Sequence, residues 1–129
     1  MNDTIPNRPF ALVVEDEPPL RELISVTLGT TFECREAVDA ESALAILRER
    51  VPDLVLVDVM LPGKSGLDVL AEMREDPALR EVPVIVLSAW QAPEDVERAI
   101  AAGADRFLAK PFRVDELAAT AQELVNRAA

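Results

Sequence analysis

Acidic, hydroxyl and amino side chains each follow a short apolar run in this sequence. In chain order, these residues are Glu15, Asp16, Asp58, Ser88 and Lys110. Three carboxylates gathered at one place would repel one another, by roughly 4 kcal/mol for two charges about 4 Å apart at an effective dielectric constant of about 20. A cation must therefore offset them, and oxygen ligands of this kind suit a hard divalent ion, usually Mg²⁺, with Mn²⁺ as an alternative.

A carboxylate can also be a nucleophile that accepts a phosphoryl group. The reaction requires in-line positioning and neutralisation of the charge on the phosphoryl oxygens. Asp58 would be the nucleophile, with Glu15 and Asp16 as metal ligands. Lys110 would supply a second cation to the phosphoryl oxygens, and Ser88 a neutral hydrogen-bond donor. This chemistry requires that all five residues meet at one place in the fold.

The elements that would bring these residues together are strands of a parallel sheet. The apolar runs Phe10–Val14 and Leu54–Val57 are typical of strands buried on both faces. Further strands are predicted at residues 32–37, 82–87 and 105–109, with helices between and after them. Right-handed crossovers place the five helices on two faces, which predicts an α/β fold with a doubly wound five-stranded parallel sheet in the flavodoxin-like order 2-1-3-4-5. The carboxyl ends of the strands would then share one edge.

Capping and spacing signals make the helix predictions specific. Asp39 is expected to cap a helix whose inward residues include Val51. Ser65 is expected to open another helix through a capping box. A helix that starts at Pro93 is expected to bury Ile100.

The 129 residues predict a disordered lead-in at 1–9 and one domain at 10–129, in which Cys34 is a packing residue.

Composition disfavours several other functions. No apolar run approaches the roughly 18 residues of a membrane span and no signal peptide is evident, so no membrane partner and a cytoplasmic location are expected. The formal charge of −11 disfavours nucleic-acid binding by this chain alone. Because it has no histidine, the chain has no His-based metal site and no phosphohistidine of its own.

Four motifs resemble the receiver domains of two-component response regulators. They are Val-Val-Glu15-Asp16-Glu, Val-Asp58-Val-Met-Leu-Pro62-Gly with Gly66, Leu-Ser88-Ala89, and Phe107-Leu-Ala-Lys110-Pro111-Phe112. The resemblance covers nearly the whole chain. It implies that a partner, either a sensor histidine kinase or a phosphotransfer protein, passes a phosphoryl group from its histidine to Asp58, and that Mg²⁺ is required. Glu15, Ser88 and Phe107 are mild departures, because Asp, Thr and often Tyr are usual at these positions.

The resemblance implies further roles. The backbone carbonyl of Met60 would be another metal ligand, and the Lys110–Pro111 bond would be cis. Ser88 and Phe107 would form a switch pair, through which phosphorylation changes the surface of the fourth helix, fifth strand and fifth helix and regulates an unidentified protein target. The sequence leaves open whether phosphorylation drives homodimerisation through the last two helices. Met60 and Trp90 would flank the site and control the access of water to the acyl phosphate.

The same residues disfavour three other functions. A phosphohydrolase that forms an aspartyl phosphate typically carries a second acid two residues after the nucleophile, where this chain has Met60. A flavodoxin-like cofactor binder would need an anion-binding loop where this chain has residues 15–17, all acidic. A pseudo-receiver that binds partners without phosphorylation would not need the intact acid, hydroxyl and lysine set. The leading hypothesis is a signalling switch that catalyses only its own phosphorylation and dephosphorylation.

Overall fold

Five short strands form one parallel sheet in the computed structural model, which describes residues 8–89 and 92–128. The strands are β1 (Phe10–Val14), β2 (Glu33–Ala37), β3 (Leu54–Asp58), β4 (Val84–Ser88) and β5 (Arg106–Ala109). They pair in the order β2-β1-β3-β4-β5. The predicted fold class and strand order are confirmed. Trp90 and most of the predicted lead-in at 1–9 lie outside the described residues.

Helices cover both faces of this sheet. The helices within the described ranges are α1 (Pro18–Leu28), α2 (Ala40–Glu49), α3 (Gly66–Glu75), α4 (Pro93–Ala101) and α5 (Val114–Ala128). Apolar residues of α1 and α5 pack on one face, and those of α2, α3 and α4 pack on the other. Since β1, β3 and β4 are buried between these layers, almost every residue in them is apolar. None of the described helices is long and apolar enough to cross a membrane.

Side-chain caps fix the starts of two helices, as predicted. The carboxylate of Asp39 accepts a hydrogen bond from the backbone N–H of Ser42 at 2.8 Å, at the start of α2. The N–H of Ser65 donates to the carboxylate of Asp68 at 2.9 Å, which forms part of the capping box of α3. Each cap gives partners to backbone groups that the first turn of a helix leaves unpaired.

Two predictions of inward-facing residues are wrong. Helix α2 ends at Glu49, so Val51 lies in the extended connection to β3, where it is about half exposed. In α4, Ala99 is buried, whereas the adjacent Ile100 is about half exposed. Successive residues of a helix point about 100° apart, so only one of these two neighbours faces the sheet.

Helix α3 begins in close contact with the end of β3. The N–H of Gly66 donates to the carbonyl of Val59 at 3.0 Å. A Cβ atom at Gly66 would lie only 2.0 Å from the carbonyl oxygen of Asp58. Glycine is therefore required here, because any side chain would push the helix away from the residue that ends the central strand.

Candidate functional site

The residues predicted for the site gather at the carboxyl edge of the sheet. Asp58 is the last residue of β3 and Ser88 the last of β4, while Glu15 and Lys110 directly follow β1 and β5. The backbone N–H of Lys110 donates to the carbonyl of Ser88 at 2.8 Å, so the parallel pairing continues to the site itself. The buried apolar runs thus hold these polar side chains in adjacent positions.

Three carboxylates form an acidic cluster at this edge. Glu15, Asp16 and Asp58 each present one oxygen, and these oxygens lie within 4.8 Å of one another. Glu15 is fully buried and Asp58 is 3 % exposed, whereas Asp16 is half-buried. Hard divalent cations prefer oxygen ligands, and carboxylates above all. The donor set therefore fits Mg²⁺ or Mn²⁺, as the sequence predicts.

The amine of Lys110 pairs with two of these carboxylates. Its Nζ lies 3.0 Å from Oδ2 of Asp58 and 3.1 Å from Oε1 of Glu15. Burial alone would lower the pKa of Lys110, but its hydrogen bonds to the two carboxylates and their charges raise it above the ordinary value of 10.5. The amine therefore stays charged and offsets part of the repulsion within the cluster. The Lys110–Pro111 peptide bond is cis, as the family resemblance implies.

Glu15 is the most deeply buried acid of the cluster. Burial raises its pKa above the ordinary value of 4.5, the N–H of Glu17 at 3.2 Å opposes this effect, and the charge of Asp58 adds to it. The hydrogen bond from Lys110 also lowers the pKa, but the balance stays upward. The fold thus holds a carboxylate whose ionised form is disfavoured, and a cation bound beside it would favour ionisation.

The two carboxylate oxygens of Asp58 have different partners. Oδ2 pairs with Lys110, and Oδ1 accepts the backbone N–H of Met60 at 3.2 Å. The cleft beside Asp58 has a volume of about 510 Å³. Its lining consists of Asp16, Glu17, Asp58, Met60, Ala89 and Lys110. A small anionic group could therefore reach Asp58, the predicted nucleophile. The role of the Met60 carbonyl as a metal ligand stays a prediction.

Ser88 and Phe107 occupy the same face of the sheet. Ser88 is buried, and Phe107 is half-buried against the core under α2, α3 and α4. The β4–β5 register pairs Phe107 with Val86, and Ala109 with Ser88. Because side chains two residues apart in a strand point the same way, the ring lies behind Ser88 as seen from the site. This placement suits a switch pair, and the switching itself stays a prediction.

Arg21 also contacts the backbone of the acidic cluster, and none of the sequence motifs indicates it. Its Nη1 donates to the backbone carbonyl of Glu15 at 3.0 Å and approaches that of Asp16 at 3.5 Å. Its Nε donates to Glu36 of β2 at 3.1 Å. The only sequence signal was a basic residue near the start of a helix, four positions after the last of three consecutive acids. Such a residue is usually solvated, so the sequence alone did not distinguish it.

Sequence comparisons agree with this geometry. Residues 11–122 match the family model described as response regulator receiver domain. The phosphate regulon transcriptional regulatory protein PhoB of Escherichia coli is 40% identical over 117 residues, which cover 90% of this chain and 51% of that protein. The chain spans about half the length of the curated relatives that it matches.

Solved structures show the same architecture. The receiver domain of NtrX from Brucella abortus superposes with a TM-score of 0.83 at 37% identity, covering 90% of this chain and 98% of that one. The signal receiver domain of a signal transduction histidine kinase from Syntrophus aciditrophicus gives a TM-score of 0.86 at 31% identity, covering 92% and 91%. Sequence and structural similarity therefore identify the same kind of domain.

Proposed function

The chain belongs to the response regulator receiver domain family of two-component phosphorelay signalling, and on that premise we propose that Asp58 accepts a phosphoryl group from a histidine of a partner protein. The observation that carries the proposal is the setting of Asp58. It is a buried carboxylate at the end of a core strand, paired with Lys110 and adjacent to two further acids. The donor would be a sensor histidine kinase or a phosphotransfer protein.

The transfer is a substitution at phosphorus. A lone pair on a carboxylate oxygen of Asp58 forms the new P–O bond as the bond from phosphorus to the imidazole nitrogen of the partner breaks. The electron pair of the broken bond returns to that imidazole. The Lys110 amine lies 3.0 Å from the acceptor carboxylate and would pair with the phosphoryl oxygens once they are bound. The Ser88 hydroxyl would donate a hydrogen bond to one of these oxygens. The product is an aspartyl phosphate.

Four groups of this chain would hold the divalent ion, Mg²⁺ or, in its place, Mn²⁺. They are the carboxylates of Glu15, Asp16 and Asp58 and the backbone carbonyl of Met60. When bound, the ion supplies positive charge to the phosphoryl oxygens. The proximity of the three carboxylates, within 4.8 Å of one another, supports this assignment. Glu15 stands where the family usually has Asp, and its burial keeps the longer side chain directed into the cluster.

Phosphorylation would be read out on the surface formed by α4, β5 and α5. The new charge at Asp58 would draw the Ser88 hydroxyl toward the phosphate, and the ring of Phe107 would move inward behind it. The position of Ser88 and Phe107 on the same face of the sheet supports their role as a switch pair. The changed surface would regulate a protein target, and homodimerisation through it is part of the proposal. Nucleic-acid binding by this chain alone is not, given its charge of −11.

Residues 10–129 would act as one receiver unit in the cytoplasm. Receiver domains are generally not enzymes, and we propose that this one catalyses only its own phosphorylation and dephosphorylation. The phosphohydrolase alternative is disfavoured because Met60 stands where such enzymes carry a general acid. The pseudo-receiver alternative is disfavoured because the acidic cluster and its lysine are intact and in contact.

Intact-mass spectrometry after incubation with Mg²⁺ and a small phosphodonor tests the proposal. We expect the wild type to gain one phosphoryl group, and to gain none when EDTA removes the ion. Asp58→Asn should gain none, whereas the control Asp115→Asn, at an exposed acid near the start of α5, should behave as wild type. A wild type that stays unmodified, or an Asp58→Asn variant that gains the group equally, would refute the proposal.

A further inference from the structure

Arg21 connects three parts of the structure beneath the acidic cluster. It lies on α1, and its guanidinium bonds to the backbone carbonyl of Glu15 at 3.0 Å and to the carboxylate of Glu36 on β2 at 3.1 Å. The carbonyl of Asp16 lies at the outer limit of a hydrogen bond, 3.5 Å away. Only 17 % of the Arg21 side chain is exposed, and its contacts with the two backbone carbonyls are partly buried, whereas its contact with the Glu36 carboxylate is exposed.

The Glu36 carboxylate, which binds this guanidinium, is itself held in place, and so is the backbone of Glu15. The second carboxylate oxygen of Glu36 accepts a hydrogen bond from the hydroxyl of Ser25 on α1 at 2.7 Å. On the other side, the N–H of Glu15 donates to the carbonyl of Ala37 on β2 at 3.0 Å. The backbone that carries the first acid is thus tied to β2 through its N–H and, by way of Arg21, through its carbonyl.

We propose that Arg21 is a positioning residue for the cation site: it fixes the backbone of Glu15 and Asp16 so that their carboxylates meet that of Asp58. The inference rests on the proposed metal-dependent function and adds a residue that does not touch the ion. Groups that orient metal ligands from behind commonly change metal affinity by one or two orders of magnitude when they are removed. Arginine suits this role because its planar fork can hold a carboxylate and a carbonyl at once.

The charge and the position of Arg21 have opposite effects on cation binding. A positive charge close to the cluster repels a divalent cation, so an arginine that acted only through its charge would weaken binding. Its removal would then tighten the binding of the metal. An arginine that positions the ligands strengthens the binding of the metal. Its removal lets the backbone of Glu15 and Asp16 move, so the metal binds more weakly. The sign of the change in dissociation constant therefore separates the two roles.

Titration with Mn²⁺, in which electron paramagnetic resonance measures the free ion, gives that sign without any phosphodonor. We expect Arg21→Met to raise the dissociation constant roughly tenfold. Arg21→Lys, which keeps the charge but lacks the fork, should raise it by a smaller factor. The matched control is Arg106→Met, because Arg106 begins β5 at the other end of the sheet and pairs with Glu123. Its dissociation constant should equal that of the wild type.

Two outcomes overturn the inference, and they differ in what else they overturn. If the wild type binds Mn²⁺ and Arg21→Met binds it equally or more tightly, the positioning role is wrong while the cation site stands. If the wild type does not bind Mn²⁺, the site itself is wrong and the inference falls with it. Circular dichroism establishes that each variant is folded. Should Arg21→Met not fold, Arg21→Lys decides alone, and a wild-type dissociation constant for it contradicts the role.

Discussion

The Nζ of Lys110 lies 3.0 Å from Oδ2 of Asp58, although 52 positions of the chain separate the two residues. The contact joins the residue that follows β5 to the last residue of β3, across the end of β4. The same amine bonds to Glu15 after β1. One cation thus ties together the ends of three strands, and it holds the carboxylate of the proposed nucleophile in place before any phosphoryl group arrives.

The burial of Glu15 predicts how divalent ions affect stability. Its pKa is raised in the folded protein, so the contribution of Glu15 to stability is fully present below its ordinary pKa of 4.5 and is lost as the pH rises through the folded value. At neutral pH in EDTA, Glu15→Gln should therefore have a larger free energy of unfolding than the wild type. Added Mg²⁺ should stabilise the wild type more than the variant. Urea unfolding with and without Mg²⁺ measures both effects, and a variant less stable in EDTA would contradict this account of Glu15.

The contact of Gly66 with the end of β3 predicts that substitutions at this position destabilise the protein. A Cβ there would lie 2.0 Å from the carbonyl oxygen of Asp58, so Gly66→Ala should lower the free energy of unfolding by on the order of 3 kcal/mol. It should also slow phosphorylation, because Asp58 would shift. Gly63→Ala is the matched control: its φ of +76° disfavours alanine, but no atom lies within 4 Å of the added carbon. Gly63→Ala should lower the free energy of unfolding by about 1 kcal/mol. Equal decreases for the two variants would contradict the steric explanation for Gly66.

The cap of α2 predicts a defined pH dependence. Hydrogen bonds from the side chain and backbone of Ser42 lower the pKa of Asp39 below its ordinary value of 3.8. The charged cap therefore adds stability above pH 3.8, and this contribution is lost as the pH falls through the lower, folded pKa. Asp39→Ala should be less stable than Asp39→Asn, which keeps a cap acceptor. In thermal unfolding across this pH range, the melting temperatures of wild type and Asp39→Asn should converge as the pH falls. A difference in melting temperature that does not change with pH would contradict a role for the charged cap.

The position of Cys34 predicts an unreactive thiol. It is half-buried against the core under α1 and α5, and burial raises its pKa to about 11 from an ordinary 9.0. At pH 8 the thiolate fraction should be roughly a hundredfold lower in the folded protein than in the unfolded one. A disulfide reagent should therefore modify the native protein about a hundredfold more slowly than the protein in urea. Equal rates in the two states would show that Cys34 is exposed.

The sequence predicts which polar side chains lie together because the apolar runs indicate where the strands end. Phe10–Val14 and Leu54–Val57 are typical of strands buried in a parallel sheet, and the residue after each run then stands at the carboxyl edge of that sheet. Parallel strands end at one edge of the sheet, so Glu15, Asp58 and Lys110 are expected to lie together even before their distances are known. Every predicted strand is found, with boundaries that differ by at most two residues.

Contacts that depend on how one element lies against another could not be predicted. Arg21 reaches backbone carbonyls before α1 and a carboxylate on β2, and no spacing in the sequence encodes those partners. The exposure of Val51 follows from where α2 ends, and that of Ile100 from the rotation of α4 on the sheet. These features depend on tertiary packing, whereas strand ends depend on local hydrophobicity.

Borohydride reduction of the phosphorylated protein, followed by peptide mass analysis, tests the central claim most directly. The reagent reduces an acyl phosphate and leaves free carboxylates intact, so the modified residue identifies the acceptor. We expect that position 58 alone is reduced, only after incubation with phosphodonor and Mg²⁺, and that Asp58→Asn yields no reduced residue. Reduction at Glu15 or Asp16, or equal reduction in Asp58→Asn, would contradict this expectation.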